Sequence, residues 1–117
     1  MNKNITPFAQ AVYDLVSQIP KGKVSTYKII AEAMNKPKAC RAVGMALSIN
    51  PFAPEVPCHR VISSDYSIGG FFGTKNKLSR KVQDKLNLLI AEGIKFDGFS
   101  LDKSSKYRND AIFRLFS

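Results

Sequence analysis

Apolar residues recur at helical spacing in the first twenty positions and predict an amphipathic helix there. Thr6 is typical of a helix cap, because its hydroxyl can accept from a free backbone amide, and Pro7 suits the first helical position. The apolar stripe that follows consists of Phe8, Val12, Leu15, Val16 and Ile19. The turn sequence PKGK at residues 20–23 is expected to end the helix.

Two further helices are predicted with a short connector between them. Ser25 or Thr26 is expected to cap a short helix that begins near Tyr27. The sequence NKP at residues 35–37 forms the connector to a third helix. Two short helices joined by a brief turn, here over about residues 26–49, fit the helix-turn-helix pattern.

The third helix, predicted from about residue 38 to residue 49, is rich in small residues. These are Ala39, Cys40, Ala42, Gly44, Ala46 and Ser48. A glycine inside a helix costs about 1 kcal/mol relative to alanine, which suggests that another body approaches this helix closely. A neighbouring helix is the commoner such body, and the floor of a DNA groove is the alternative. Arg41 stands among the small residues and can project beyond them.

A proline-rich segment follows the third helix. Three prolines among residues 51–57 exclude a helix and predict a stiff, extended loop over residues 50–61. This loop carries Cys58 and the only histidine of the chain, His59, side by side. A rigid loop that presents these two residues together is a candidate site of chemistry.

The second half of the chain alternates loops with helices. A short strand is predicted at residues 61–62 and a glycine-containing loop at residues 63–75, here named the lid loop. A basic connector over residues 75–85 runs into a helix that Gly93 ends, and the tail over residues 95–117 holds another short helix. The pattern predicts a mainly α fold: a single domain with a winged-helix-like helix-turn-helix and little or no β-structure, a short two-stranded element at most.

The length of the chain limits the number of domains, and its charge limits the kinds of partner. The 117 residues fit one domain and are too few for two ordinary ones. Eighteen Lys and Arg residues against nine Asp and Glu leave a net charge of +9. Such a charge predicts attraction to a polyanion, either a nucleic acid or an anionic membrane surface. Charge alone does not distinguish a nucleic acid from a membrane surface, and a positive charge can also simply keep a protein soluble.

Several classes of protein are excluded. No stretch approaches the roughly 18 apolar residues of a membrane span, and the first residues lack the apolar run of a secretory signal. The two cysteines, Cys40 and Cys58, are too few for a disulfide-built fold, so free thiols in an intracellular protein are expected. One histidine and two cysteines without metal-ligand spacing predict that there is no metal site.

Cys58 is the candidate nucleophile. Cysteine reacts as a thiolate, and a free thiol is mostly protonated at neutral pH, so it needs a nearby histidine, cation or helix N-terminus. His59 is adjacent, but alternation in an extended loop points neighbouring side chains apart, which favours a bridging water. A histidine base needs an orienting carboxylate, and spacing does not select one of the nine acidic residues. The alternative is an inert, buried cysteine.

Residues 57–61 match the PCHRV signature of the O6-alkylguanine-DNA alkyltransferases, also called methylated-DNA–protein-cysteine methyltransferases. Further segments follow in family order at about family spacing: GKVSTY (22–27), PKACRAVG (37–44), Asn50-Pro51 and AEG (91–93). The chain resembles this family from about Phe8 to Ile94. The N-terminal domain that family members commonly carry is expected to be absent.

The resemblance implies a reaction and the residues that perform it. The protein flips O6-alkylguanine, chiefly O6-methylguanine, out of duplex DNA, and the Cys58 thiolate takes the alkyl group irreversibly in a single-turnover SN2 step. His59 takes the thiol proton through a water, and Glu92 orients His59. Asn50 braces the turn before the loop, and Tyr27 supplies a hydroxyl to guanine N3. No cofactor is expected, because the cysteine is itself the acceptor.

The resemblance also implies the binding residues. The third helix enters the minor groove of double-stranded DNA, and its small residues permit close approach: Ala39, Cys40, Ala42 and Gly44. Arg41 fills the gap that the extruded nucleotide leaves. Phe71 and Phe72 cover the base from the lid loop, and the carbonyl of Val61 accepts from the guanine amine. Lysines of residues 75–85 and of the tail are candidates for general attraction to phosphates.

Each implied role has an alternative. Without the resemblance, Tyr27 is a core aromatic, Arg41 a phosphate contact and Glu92 a solvated residue at a helix end. Alkyltransferase-like proteins share this short form and bind alkylguanine without transfer, but they typically lack the acceptor cysteine. Phe71 stands where the family usually has tyrosine, and a phenyl ring cannot donate a hydrogen bond.

A basic helix-turn-helix regulator without chemistry is the third hypothesis, and it leaves the PCHRV sequence unexplained. The protein is expected to be a monomer without a membrane partner, cytoplasmic in a prokaryote or nuclear in a eukaryote.

Overall fold

The computed structural model describes residues 5–71, 74, 76 and 78–117. Its helices are α1 (Pro7–Val16), α2 (Tyr27–Ala33), α3 (Cys40–Ser48), α4 (Arg80–Ala91) and α5 (Ser105–Ala111), with a 3-10 turn at Cys58–Arg60. Its strands are β1 (Ser25–Thr26), β2 (Val61–Ile62), β3 (Phe96–Asp97) and β4 (Ser100–Leu101). The mainly α prediction is confirmed, with two short strand pairs where at most one was expected. No described helix is long and apolar enough to cross a membrane.

The helix starts follow from their capping residues. The hydroxyl of Thr6 accepts from the amide of Ala9 at 3.1 Å, and Thr26 rather than Ser25 caps α2 in the same way, from the amide of Ile29 at 3.1 Å. α1 ends at Val16, earlier than the apolar stripe. Ile19, the last residue of the predicted apolar stripe, lies in the turn after α1 and is nevertheless buried in the core.

The helix-turn-helix consists of α2 and α3, and α1 packs across it. The hydroxyl of Tyr13 on α1 donates to the carbonyl of Ala46 on α3 at 2.7 Å, which fixes the position of α3. Asn35 in the connector has a positive φ of 58°, a conformation that asparagine tolerates better than most residues. α3 begins at Cys40, two residues later than predicted.

The segment between α3 and β2 is turned rather than extended. Residues 51–55 form consecutive turns, and Cys58 begins the 3-10 turn. The prediction of an extended loop is therefore wrong, because the φ that proline imposes suits a tight turn as well as an extended chain. β2 does form where predicted and pairs in parallel with β1, Ser25 opposite Val61. This pairing brings the start of α2 beside the Cys58 turn.

The tail is folded against the rest of the chain. β3 and β4 form an antiparallel hairpin with Phe96 opposite Leu101, and Leu101 is fully buried. α5 ends at Ala111, because Ile112 forms a bridge with Val24 and the amide of Phe113 donates to the carbonyl of Val24 at 2.7 Å. The tail thus completes the second core cluster, which contains Val24, Ile62, Ile68, Val82, Leu89, Ile94, Leu101 and Ile112.

Candidate active site at Cys58

Cys58 lies at the inner wall of a cavity of about 460 Å³ between α3 and the lid loop. The side chain is only 5% exposed, and Tyr27, Gly69 and Phe71 line the same cavity. Both cysteines are free thiols, and Cys40 lines the cavity from α3. The cavity therefore combines a buried thiol with aromatic and backbone surfaces.

Asn50 braces the segment that presents Cys58. Its side chain is buried, its Nδ2 donates to the carbonyl of Val56 at 2.9 Å, and its Oδ1 accepts from the amide of Phe52 at 2.9 Å. These two bonds close the turn over residues 50–56 and satisfy backbone groups that the prolines leave without helical or strand partners. The place of Cys58 relative to α3 follows from this turn.

His59 contacts the carboxylate of Glu92, with 3.0 Å between Nε2 and Oε2. Burial raises the pKa of Glu92, but hydrogen bonds from Arg60 and His59 outweigh this and hold it below the ordinary value. An ionised carboxylate only accepts, so Nε2 of His59 carries the hydrogen. Burial lowers the pKa of His59, which keeps the ring neutral and leaves Nδ1 as an acceptor.

Arg60 fixes the carboxylate of Glu92. Its Nε and Nη2 donate to the two carboxylate oxygens at 2.9 Å each, and its Nη1 donates to the carbonyl of Ile19 at 2.8 Å. A guanidinium held at three points gives Glu92 one orientation, which in turn orients His59. This contact has no signature in the sequence beyond the place of Arg60 in PCHRV, since Glu92 is 32 residues away.

The Cys58 thiol is protonated in the free protein. Burial raises its pKa, and this outweighs the opposing effects of the Asn50 side chain, the Lys85 charge and the backbone hydrogen bonds of Cys58 and His59. A thiol in this state needs a base before it can react. The neutral His59, one residue away, is the group with the required acceptor.

Tyr27, the first residue of α2, lines the cavity. Burial raises its pKa to about 12, so it can serve as a donor at neutral pH. Its ring lies against the lid loop, where a Cβ added to Gly69 would be 3.5 Å from Cε2 of Tyr27 and 2.9 Å from Oγ of Ser63. Gly69 also has a positive φ of 71°, so this turn and its close approach to Ser63 depend on glycine, whereas the distance to Tyr27 is an ordinary contact.

Described residues of the lid loop line the cavity, and two of them, Phe71 and Thr74, bond to each other. The amide of Phe71 donates to the carbonyl of Thr74 at 2.8 Å, and the amide of Thr74 donates back at 3.2 Å. Phe71 lines the cavity and packs against a core cluster that includes Val12 of α1, Val43 of α3 and Cys58. Val61 is buried at the start of β2, directly after the 3-10 turn. The predicted second aromatic residue, Phe72, lies outside the described residues.

Helix α3 carries the small residues predicted from the sequence, and some of them line the cavity. Arg41 and Ala42 are exposed, whereas Ala39, Cys40 and Gly44 are half-buried. A Cβ added to Gly44 would meet no atom within 4 Å, so no neighbouring helix explains the glycine. Of these five residues, Cys40, Arg41 and Gly44 line the cavity. The face that carries them is open to an external partner.

Lys85 departs from the prediction that the lysines of residues 75–85 attract phosphates. Its side chain is fully buried, so it cannot reach a phosphate outside the protein. The signal for this is present in the sequence: Val82, Lys85 and Leu89 share one face of α4 by their spacing of three and four residues. Lys75 and Lys77 lie outside the described residues. Within the described part of the chain, no three His, Cys, Asp or Glu residues are grouped to hold a metal ion.

Comparison with known proteins gives this arrangement a family. Residues 7–94 match the family described as 6-O-methylguanine DNA methyltransferase, DNA binding domain. The chain is 34% identical over 112 residues to a bifunctional methyltransferase/endonuclease of Thermoplasma volcanium, covering 89% of this chain and 35% of that protein. It is 45% identical over 95 residues to a methylated-DNA–protein-cysteine methyltransferase of Saccharolobus solfataricus, covering 81% of this chain and 56% of that protein. The chain thus spans about a third to just over half of the length of these relatives.

Two solved structures resemble this fold. Mycobacterium tuberculosis OGT in complex with DNA matches with a TM-score of 0.66 and 38% identity, over 74% of this chain and 50% of that chain. S. pombe Atl1 in complex with damaged DNA containing O6-carboxymethylguanine matches with a TM-score of 0.75 and 30% identity, over 97% of this chain and 98% of that chain. Because the family match takes in α1, the helix-turn-helix, the Cys58 turn and Glu92, the chain belongs to the family of the 6-O-methylguanine DNA methyltransferase DNA-binding domain.

Proposed function

We propose that this protein repairs DNA by transferring the alkyl group of O6-alkylguanine, chiefly the methyl group of O6-methylguanine, to its own Cys58. The observation that carries this proposal is the combination of Cys58 and His59. The buried thiol of Cys58 lies on the cavity wall, and Nε2 of the neutral His59, the next residue, contacts the ionised Glu92 at 3.0 Å. That arrangement is suited to activating a nucleophile inside a pocket. A cysteine that only packs in the core would not need a neighbouring histidine and carboxylate.

The reaction follows from the protonation states of the site. The thiol proton of Cys58 passes through a water to Nδ1 of His59, and the resulting imidazolium is stabilised by Glu92. The thiolate attacks the alkyl carbon, an S–C bond forms, and the C–O6 bond breaks with its electron pair remaining on guanine. The Tyr27 hydroxyl donates to N3 of the leaving base, whose developing charge it offsets. A thioether is not readily hydrolysed, so each molecule reacts once.

The same proposal assigns α3 to the minor groove of duplex DNA, bound by a monomer of this protein. Three cationic residues are exposed here, Lys36 and Lys38 just before α3 and Arg41 in its first turn, and none forms an ion pair with another described residue. The open space over Gly44 admits a close approach of the groove floor. In this proposal Arg41, which lines the cavity, fills the gap of the flipped nucleotide.

Lesion binding without transfer is the second candidate function. The observation that favours it is the match to S. pombe Atl1, which covers 97% of this chain and 98% of that chain. The presence of Cys58 in the cavity favours transfer instead. The two functions therefore differ in one outcome: whether the lesion leaves the DNA.

Transfer from labelled DNA tests the proposal. The protein is incubated with a duplex that carries radiolabelled O6-methylguanine, and protein-bound label is counted. We expect stoichiometric label on the wild type and on Cys40→Ser, which changes the other thiol lining the cavity, and none on Cys58→Ser. Tight binding of the duplex with no label on the wild type would overturn transfer and support lesion binding.

A further inference from the structure

Two large apolar side chains at α3 are exposed to solvent. Met45 and Ile49, the residue that caps the end of the helix, are each 67% exposed. The side of α3 that packs in the core is formed by other residues, the buried Val43, Ala46 and Leu47. Single exposed apolar residues are normal on a protein surface, so the position of these two on the helix decides what they mean.

Met45 and Ile49 lie on the same side of α3 as Arg41. The three positions are four residues apart, and residues at that spacing lie one above the other on a helix. Met45 and Arg41 both line the cavity that holds Cys58. The polar residue between them, Ser48, donates its hydroxyl hydrogen to the carbonyl of Met45 at 2.7 Å, so that hydrogen is not offered to an external acceptor. Met45 and Ile49, here named the apolar ridge, therefore extend from the cavity along α3.

The charges around the apolar ridge favour a polyanion that has apolar surface of its own. Lys36 and Lys38 precede α3, and no acidic residue occurs between Glu32 and Glu55. The minor groove of duplex DNA fits this description, because rows of phosphates border base edges and the C–H groups of deoxyribose. Proteins that bind this groove frequently place apolar side chains in it. An anionic membrane also combines charge with apolar surface, but only DNA reaches the ridge and the proposed base cavity together.

We propose that the apolar ridge lies against deoxyribose and base edges in the minor groove, next to the gap that Arg41 fills. The inference rests on the proposed function in placing α3 in that groove. It adds a source of affinity that the lysines do not supply, because burial of apolar surface releases no counterions and is therefore independent of salt. This contact also requires no particular base sequence, since every nucleotide of DNA carries a deoxyribose.

Binding to an undamaged duplex at a series of salt concentrations tests the apolar ridge without any transfer step. The double variant Met45→Gln, Ile49→Thr replaces both apolar side chains with polar ones. We expect its affinity to fall roughly tenfold at every salt concentration, with the slope of log K against log salt unchanged. Lys38→Gln should instead reduce that slope by about one. The matched control Leu115→Gln, an exposed apolar residue of the tail, should bind as the wild type does.

Equal binding by the wild type and the folded double variant would overturn the proposal, and so would a changed salt slope in that variant. Thermal unfolding shows whether the variant is folded, and we expect little change because both residues are exposed. Sedimentation with vesicles of phosphatidylserine and phosphatidylcholine that only the wild type shows, with equal duplex binding, would assign the ridge to a membrane instead. Ridge-dependent duplex binding without methyl transfer to Cys58 would support the ridge and count against the proposed transfer alone.

Nuclear magnetic resonance observes the apolar ridge in the complex directly. The methyl group of Met45 is labelled with ¹³C in the wild type, and its resonance is assigned by its absence from the spectrum of Met45→Gln. In the complex with an undamaged duplex, we expect nuclear Overhauser effects between this methyl group and H1′ and H4′ of deoxyribose, which face the minor groove. Effects to thymine methyl groups, which lie in the major groove, would overturn the placement, as would effects to neither.

Discussion

At the scale of single residues, the orientation of the His59 ring depends on Arg60 and Glu92. Arg60 donates twice to Glu92, and Glu92 accepts from His59, so one guanidinium determines the orientation of the base. The lowered pKa of Glu92 keeps a negative charge beside the ring. That charge opposes the lowering of the His59 pKa by burial, and in the proposed reaction it would stabilise the imidazolium of His59.

Glu92→Gln should therefore slow methyl transfer by roughly 100-fold, because a neutral amide does not stabilise the imidazolium of His59. Single-turnover transfer from a duplex containing O6-methylguanine measures the rate. Asp84→Asn, an exposed carboxylate on the same helix, is the matched control and should react at the wild-type rate. An undiminished rate in Glu92→Gln would show that His59 acts without this partner.

At the scale of elements, α3 contains a glycine that lowers the stability of the helix and leaves one of its faces open. A Cβ on Gly44 would meet nothing within 4 Å, so no packing within the protein requires glycine there. Exposed Arg41 and half-buried Cys40 flank the same opening on the cavity. Packing inside the protein therefore does not account for the glycine in α3, and the proposed approach of DNA would account for it.

Gly44→Ala should raise the free energy of unfolding by about 1 kcal/mol and weaken binding to duplex DNA. The gain comes from backbone entropy, and the loss comes from a methyl group placed where the groove floor approaches. Urea unfolding and a DNA titration on the same preparation measure both effects. Equal or tighter DNA binding would contradict the placement of α3 in the groove.

Arg41→Ala should slow transfer from duplex DNA much more than transfer from free O6-benzylguanine. The free base needs no flipping, so only the duplex reaction depends on a side chain that fills the vacated stack. Arg114→Ala, an exposed arginine in the tail, is the control and should show at most a small loss on the duplex. Equal losses with both substrates would count against the role of Arg41.

The elements that sequence predicts well are those with local signals. Thr6, Thr26 and Gly93 mark helix ends by chemistry that acts within one turn, and these ends are found where expected. The 3-10 turn at Cys58 has no such signal, because prolines permit both turns and extended chain. The contact of Arg60 with Glu92 is likewise long-range, and only tertiary packing creates it.

At the scale of the whole molecule, basic residues outnumber acidic ones by two to one, 18 against nine. One of the nine acids, Glu92, is held by Arg60 and His59 inside the fold. Its lowered pKa means that the folded state holds this proton less tightly than the unfolded chain does. The stability that Glu92 contributes is therefore complete above its unfolded pKa and is lost as pH falls through its folded pKa.

Glu92→Gln should accordingly reduce the acid sensitivity of the protein. Wild-type unfolding free energy should fall more steeply than that of the variant below about pH 4, although the variant is less stable at neutral pH. Urea midpoints at a series of pH values measure both slopes, and charge repulsion among the remaining residues is common to the two proteins. Parallel slopes would contradict the role of the Arg60–Glu92–His59 contact in stability.

The central claim is that the alkyl group moves from guanine to Cys58, and intact-protein mass spectrometry with peptide mapping tests it most directly. The protein is mixed with an equal amount of a duplex containing O6-methylguanine. The account predicts a mass gain of one methyl group per chain, located on the peptide that contains Cys58, together with a repaired guanine in the DNA. An unmodified protein bound to an unchanged lesion would contradict it.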